Sequence, residues 1–319
     1  MRRALPRRSP GSMLFMAVLA MLWVGASGTA RAEYPVDYNF FAGIPYELSN
    51  PGGSLPGSND WSCKPTAAHP NPVVLLHGTA GGAQTNWGAY APLLANEGYC
   101  VYALTYGNLD LPFPLKTLGG LRPVPESAAQ VSAFVDRVLA ATGAARVDFV
   151  SHSQGSIVGQ YVVKRLGGAA KVERFVSIAG PWIGGAGDQM EMVRTMGRQL
   201  GIEPDAVDSM LVGSVCHVCS QMLGGSSFMN ALNADGIYAP QVTYTNIATR
   251  YDEIAFPYTV GLIEAPNAVN IVVQDGCESD FSEHMAIAGS PRTAGFMLNA
   301  LDPAHPRPVV CEFIPPFTG

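Results

Sequence analysis

Val147-Asp148-Phe149-Val150-Ser151-His152-Ser153-Gln154-Gly155 is the stretch whose reading decides the fold. Val147 to Val150 reads as a buried strand, and Ser156 to Leu166 as a helix stopped by glycines. A serine between such a strand and such a helix sits on a sharp turn that lifts its hydroxyl above the sheet. The turn needs small residues two positions to either side. Gly155 meets that need, and Ser151 stands where glycine is usual. Ser153 is therefore the candidate nucleophile.

Outward from this turn the same pattern repeats. Val73-Val74-Leu75-Leu76 is a short continuous apolar run, as expected of a strand buried on both faces of a parallel sheet. Trp87 to Asn96 reads as a helix, Cys100 to Leu104 as a strand, and Pro125 to Ala141 as a helix. In that last helix Ala128, Val131, Phe134, Val135, Val138 and Leu139 form one stripe, with Pro125 at its start and Gly143 at its stop. Phe175 to Ile178, Val242 to Thr249 and Val269 to Gln274 supply further strands. Strands alternating with helices predict an α/β fold, a mostly parallel sheet with helices on both faces. Ligands of such sheets bind beyond the carboxyl ends of the strands.

A serine hydroxyl is a weak nucleophile and needs a base, usually a histidine held by a carboxylate. On a strand–turn–helix serine of this kind the chain order is Ser, acid, His. Three histidines follow Ser153. His305 lies in a proline-bound tail and His217 between two cysteines, which leaves His284, in Ser282-Glu283-His284-Met285, as the base. The acid should end the preceding strand. Asp252 fits, with Glu253, Asp275 and Asp280 as alternatives. An oxyanion needs preorganised N–H groups, and these are expected from Gln154, just after the nucleophile, and from Thr79, in His77-Gly78-Thr79-Ala80-Gly81-Gly82 after the first strand. His77 and His152 are expected to brace these turns.

The ends and the middle of the chain add context. Arg2, Arg3, Arg7 and Arg8, the apolar run from Met13 to Val24 and Ala30-Arg31-Ala32 form the pattern of a cleaved signal peptide over 1–32. A membrane anchor is the rival reading, for which the run is short. Arg7-Arg8 leaves Sec and twin-arginine export both open. Residues 33–319 then form one domain, which begins with a Pro-, Gly-, Ser- and Asn-rich entry segment without much regular structure over Glu33 to Asn71. Export permits disulfides, and sequence order suggests Cys63 with Cys100, Cys216 with Cys219, and Cys277 with Cys311. A zinc or redox role for Cys216-His217-Val218-Cys219 is disfavoured, because no second cluster stands out and the region is rich in loops. Residues 182–239 break the rhythm and hold six of the twelve methionines. They read either as a lid over the sheet that greets an apolar substrate or as helices packed on it with Met as core filler. The net charge is −6 with no basic stripe, which argues against a nucleic-acid partner. Nothing speaks to oligomeric state.

Several segments together resemble the bacterial, chiefly actinobacterial, secreted lipases and esterases of the α/β-hydrolase superfamily. They are Val73 to Thr79, Glu97 to Val101, Glu126 to Ala129, Ser151 to Gly155, Ile247 to Glu253, Ser282 to His284 and Leu298 to Pro303. The resemblance implies hydrolysis of carboxylic esters, acylglycerols or other lipid esters, without a metal or cofactor, and with transient contact at a lipid interface. It implies Ser153, Asp252 and His284 as the triad. Ser151 and the run Gly180 to Gly185 depart from that family's pattern, the latter beside the expected acyl pocket. Acyl transfer to another alcohol, amide hydrolysis, or a catalytically inactive binding role on the same fold are the alternatives.

Overall fold

The computed structural model describes Met1 and residues 33–199, 201–209 and 216–317. Residues 2–32 of the expected leader lie outside these, as does Met210. No helix among the described residues is long and apolar enough to cross a membrane.

The core is a six-stranded sheet in which every neighbouring pair is parallel. The strands are β1 (Val73–Leu76), β2 (Val101–Ala103), β3 (Val147–His152), β4 (Val172–Ile178), β5 (Thr243–Ala248) and β6 (Ala268–Val272), in the order β2-β1-β3-β4-β5-β6. The helices are α1 (Ile44–Ser49), α2 (Tyr90–Asn96), α3 (Val124–Thr142), α4 (Gln154–Arg165), α5 (Gly187–Gln199), α6 (Pro204–Asp208), α7 (His217–Gln221), α8 (Ser227–Asn233) and α9 (Pro291–Leu301).

Successive strand residues point to opposite faces, and β1 divides accordingly. Val73 and Leu75 pack into one apolar cluster with Leu94 of α2 and Met297 and Leu298 of α9. Val74 and Leu76 pack into the other with Val131 and Val135 of α3 and Ile157 and Val158 of α4. All four β1 residues are buried, so a continuous apolar run is what this position demands. Helix α3 ends at Gly143, whose φ of 77° is the left-handed conformation of a glycine stop. Ser290 caps α9 by accepting from the N–H groups of Arg292 and Thr293.

The entry segment is more ordered than its composition predicts. A 3₁₀ turn (Phe40–Gly43) runs into α1. Asn39 caps the turn, and buried Glu47 accepts from Gln84 Nε2 at 2.7 Å and from the Gly52 N–H at 2.8 Å. A six-residue helix is too short to show a period in sequence, and Gln84 is 37 residues away from Glu47. The three cysteine pairs are Cys63–Cys100, Cys216–Cys219 and Cys277–Cys311. Cys216 is the N-cap residue of α7, so this pair opens a short helix where sequence suggested a loop.

In 182–239 the methionines divide between the two readings. Met190 and Met229 are buried, Met192 is 65% exposed, and Met222 lines a cavity. Arg194 of α5 anchors the segment. Its guanidinium donates to both carboxylate oxygens of Asp208 in α6, at 2.7–3.2 Å, and to the Gly224 carbonyl at 2.7 Å.

Candidate active site

Ser153 follows β3 and precedes α4 with φ 53° and ψ −124°. This backbone is strained for a residue with a side chain. It persists because its surroundings hold it: the Ser153 N–H donates to the Ile178 carbonyl at 2.9 Å and its own carbonyl accepts from Ser156 at 3.0 Å. Gly155 is obligatory here, since a Cβ would lie 2.2 Å from the Leu76 carbonyl oxygen. Ser151 fits where glycine is usual because its hydroxyl has a buried partner, Ser156 Oγ at 2.8 Å, which in turn meets Ser177 Oγ at 2.8 Å.

The structure brings Ser153, His284 and Asp252 together. Ser153 Oγ lies 2.8 Å from His284 Nε2, and His284 Nδ1 lies 2.8 and 2.9 Å from the two oxygens of Asp252. Asp252 follows β5 and His284 follows the neighbouring β6, so three strand ends supply the three groups. All three are buried, Ser153 at 8% exposure being the least so. The Asp252 carboxylate also accepts from the N–H groups of Ile254 and Ala255, at 3.0 and 2.6 Å. A carboxylate so held fixes the imidazole with its proton on Nδ1 and leaves the Nε2 lone pair facing Ser153.

The other acids occupy different places. Glu253 accepts from the His284 backbone N–H at 3.2 Å, Asp275 pairs with Arg250, and buried Asp280 accepts from Ser282 N–H at 2.9 Å. His305 is on the surface beside Asp302.

Thr79 and Gln154 face the same space. Thr79 Oγ1 donates to Gln154 Oε1 at 3.3 Å, and Gln154 Nε2 donates to the Gly120 carbonyl at 3.0 Å. Gly120 has φ 64°, and a Cβ there would stand 2.2 Å from Gln154 Oε1. Among the described residues neither the Thr79 nor the Gln154 backbone N–H has an acceptor inside the protein. At Gln154 this follows from its place as the first residue of α4, where N–H groups lack intrahelical partners.

Two buried histidines brace the loops. His77 Nδ1 donates to the Gly78 carbonyl at 2.8 Å, and its Nε2 accepts from the Tyr106 N–H at 3.1 Å. Both ring nitrogens are committed to a neutral imidazole, and burial pushes its pKa down to about 4. His152 Nε2 donates to the His284 carbonyl at 2.9 Å, and its Nδ1 lies 3.1 Å from Asn86 Oδ1, which accepts from the Gly78 N–H at 3.0 Å. Burial, and after it the nearby His284, push His152 down to about 3. The bond to the His284 carbonyl ties the Ser153 turn to the His284 loop, and the Nδ1 of the neutral ring packs beside Asn86, which holds the Gly78 loop.

A cavity of about 330 Å³ opens onto Ser153 and His284, lined by Phe40, Phe41, Ile44, Leu118 and Ile254 among others. Sequence reasoning missed Asn86 and the Phe40–Ile44 wall. Asn86 carries no local signal. Two adjacent phenylalanines within an otherwise Pro- and Gly-rich stretch were the available clue to the wall.

The family model for class 2 lipases matches residues 70–294 of this sequence. The chain belongs to the class 2 lipase family. Among solved structures this lipase-family chain is similar to Aspergillus fumigatus lipase B, with TM-score 0.57 and 17% identity, over 81% of this chain and 56% of that one. The chain therefore spans little more than half the length of that protein. It is also similar to the mature form of Bacillus licheniformis lipase BlEst2, with TM-score 0.52 and 15% identity, over 79% of this chain and 96% of that one. At these identities the likeness is one of fold. The family match and the likeness in fold agree: the chain is a member of the class 2 lipase family with an α/β-hydrolase fold.

Proposed function

We propose that the protein is a secreted serine esterase or lipase that cleaves lipid-type carboxylic esters through a Ser153–His284–Asp252 triad and an acyl-enzyme. The observation that carries this reading is the unbroken hydrogen-bonded run from Ser153 Oγ through both nitrogens of His284 to Asp252, at the floor of an apolar cavity. Ser153 Oγ attacks the ester carbonyl carbon and gives its proton to His284 Nε2. The backbone N–H groups of Thr79 and Gln154 receive the oxyanion. The carbon–oxygen bond to the alcohol breaks, and His284 returns the proton to the departing oxygen. Water, activated by the same nitrogen, then adds to the acyl-enzyme and releases the acid and Ser153.

Phe41, Ile44 and Ile254 line the cavity and are also exposed, at 41%, 38% and 59%. An apolar mouth of this kind favours a lipid-like ester and brief contact with a lipid surface. Within this proposal residues 1–32 are removed on export, three disulfides suit an oxidising compartment, and 182–239 is a cap whose Ala186, Met222 and Leu223 line a second, smaller cavity beside Ser153. Acyl transfer to another alcohol or amide hydrolysis would use the same groups. Competition between water and an acceptor alcohol separates these outcomes.

The test is hydrolysis of a short p-nitrophenyl ester together with labelling by a fluorophosphonate. The wild-type chain should be labelled once at Ser153, and Ser153→Ala should lose both label and turnover. Unchanged turnover in Ser153→Ala would exclude the assignment. Failure of the wild-type chain to label would favour a binding protein.

A further inference from the structure

Two separate cavities meet at Ser153, and they differ in size. The first, about 330 Å³, runs past His284, Met285 and His152 to Phe40, Phe41 and Ile44. The second, about 150 Å³, runs the other way, between Pro181, Ala186, Met222, Leu223 and Ala255. Among the described residues only Thr79, Ser153 and Ile254 line both.

The chemistry says which half of an ester goes where. This step rests on the triad proposed above. When the tetrahedral intermediate collapses, the departing alcohol oxygen takes its proton from His284 Nε2, so it must lie within hydrogen-bond reach of that nitrogen. The alcohol half then continues into the cavity that His284 lines, which is the larger one. The oxyanion is directed at Thr79 and Gln154. The remaining substituent on the carbonyl carbon, the acyl chain, points away from both His284 and the oxyanion donors. The cavity on that side is the smaller one, and His284 does not line it.

We infer that the enzyme is selective for esters that join a short acyl group to a long or bulky apolar alcohol, rather than for long-chain acyl esters of small alcohols. A cavity of roughly 150 Å³ covers about a benzene-sized guest, so an acyl chain beyond about six carbons leaves its walls for solvent. The alcohol arm has about twice that room. Pro181, from the run Gly180 to Gly185 that follows β4, helps wall the short arm.

The experiment uses two isomers, decyl butanoate and butyl decanoate, each below its solubility limit. Their formula and hydrophobicity match, and only the side carrying the long chain differs. The full mature chain should cleave decyl butanoate with a kcat/KM at least about tenfold higher, the scale on which a misfit of one or more methylenes is discriminated. Leu223→Ala, which lengthens the acyl arm, should raise butyl decanoate and narrow the ratio. Phe41→Ala, on the opposite wall, should lower decyl butanoate. Equal rates, or a preference for butyl decanoate, in an enzyme that Ser153→Ala inactivates would overturn the inference and leave the esterase reading intact. If neither isomer nor any p-nitrophenyl ester is cleaved and Ser153 takes no fluorophosphonate, both readings fall.

Discussion

The strand ends of the sheet and the 182–239 segment build the same cleft by different means. At the strand ends position comes from the backbone: Ser153, Asp252 and His284 each follow a strand, and Thr79 and Gln154 offer main-chain N–H groups. In 182–239 position comes from side chains, with four short helices gathered around the buried Arg194–Asp208 pair. The first fixes three side chains through the strands they follow. The second lines the smaller cavity beside Ser153 through Ala186, Met222 and Leu223.

The sharpest way to break that contrast lies at the strand ends. Asp252→Asn should keep the fold yet lower kcat by about 10⁴-fold, because an amide cannot hold His284 in the required tautomer. Steady-state kinetics with a soluble ester, beside an unchanged circular dichroism spectrum, decides it. A loss of only a few-fold would mean that Glu253 or another acid does this work.

In the 182–239 segment the expected loss is of stability. Arg194→Met leaves Asp208 buried without its cation, a change that typically costs about 3–5 kcal/mol. Limited proteolysis should then cut within 182–239 first. Replacing both partners, as Arg194→Met with Asp208→Leu, should restore most of the resistance. If the double variant is as labile as the single one, the pair is not what gathers these helices.

Acid should act at the buried histidines beneath the cleft. The folded-state pKa values of His77 and His152 lie below that of a free imidazole, at about 4 and about 3. The stability linked to them is therefore full above about pH 6.5 and is lost as pH falls toward those values, at about 1.4 kcal/mol per pH unit for each ring. Imidazole NMR should show both rings neutral at pH 5. A His77 ring that titrates near 6.5 would show that its burial is not maintained in solution.

The smallest effect is expected at Ser151. Ser151→Gly would remove its hydrogen bond to Ser156, worth about 1 kcal/mol net, and give the turn the more usual residue. The melting temperature should move by a few degrees at most, with kcat unchanged. A large loss of kcat would make the serine chain from Ser151 to Ser177 part of the positioning of Ser153.

What was legible in the sequence follows the same division. The strands announced themselves because burial on both faces requires unbroken apolar runs, and the order of Ser153, Asp252 and His284 follows from the order of strand ends. The limits of each element moved by a few residues: β4 begins at Val172 rather than Phe175, and β6 ends at Val272 rather than Gln274. Helix α1, the link from His152 to Asn86 and the helical start at Cys216 were not legible. Each depends on contacts between residues far apart, or on elements too short to have a period. The size of each cavity is likewise a sum over side chains from many segments, and no local pattern encodes it.

The cysteines pair strictly with their next neighbour in the chain: Cys63 with Cys100, Cys216 with Cys219, Cys277 with Cys311. No loop closed by one bond contains a cysteine of another. A polypeptide threaded through a membrane from its N-terminus would present each thiol with its rightful mate as the very next to arrive. An oxidant that simply joins cysteines as they emerge would then write the native set of bonds without proofreading, and an isomerase would have nothing to correct.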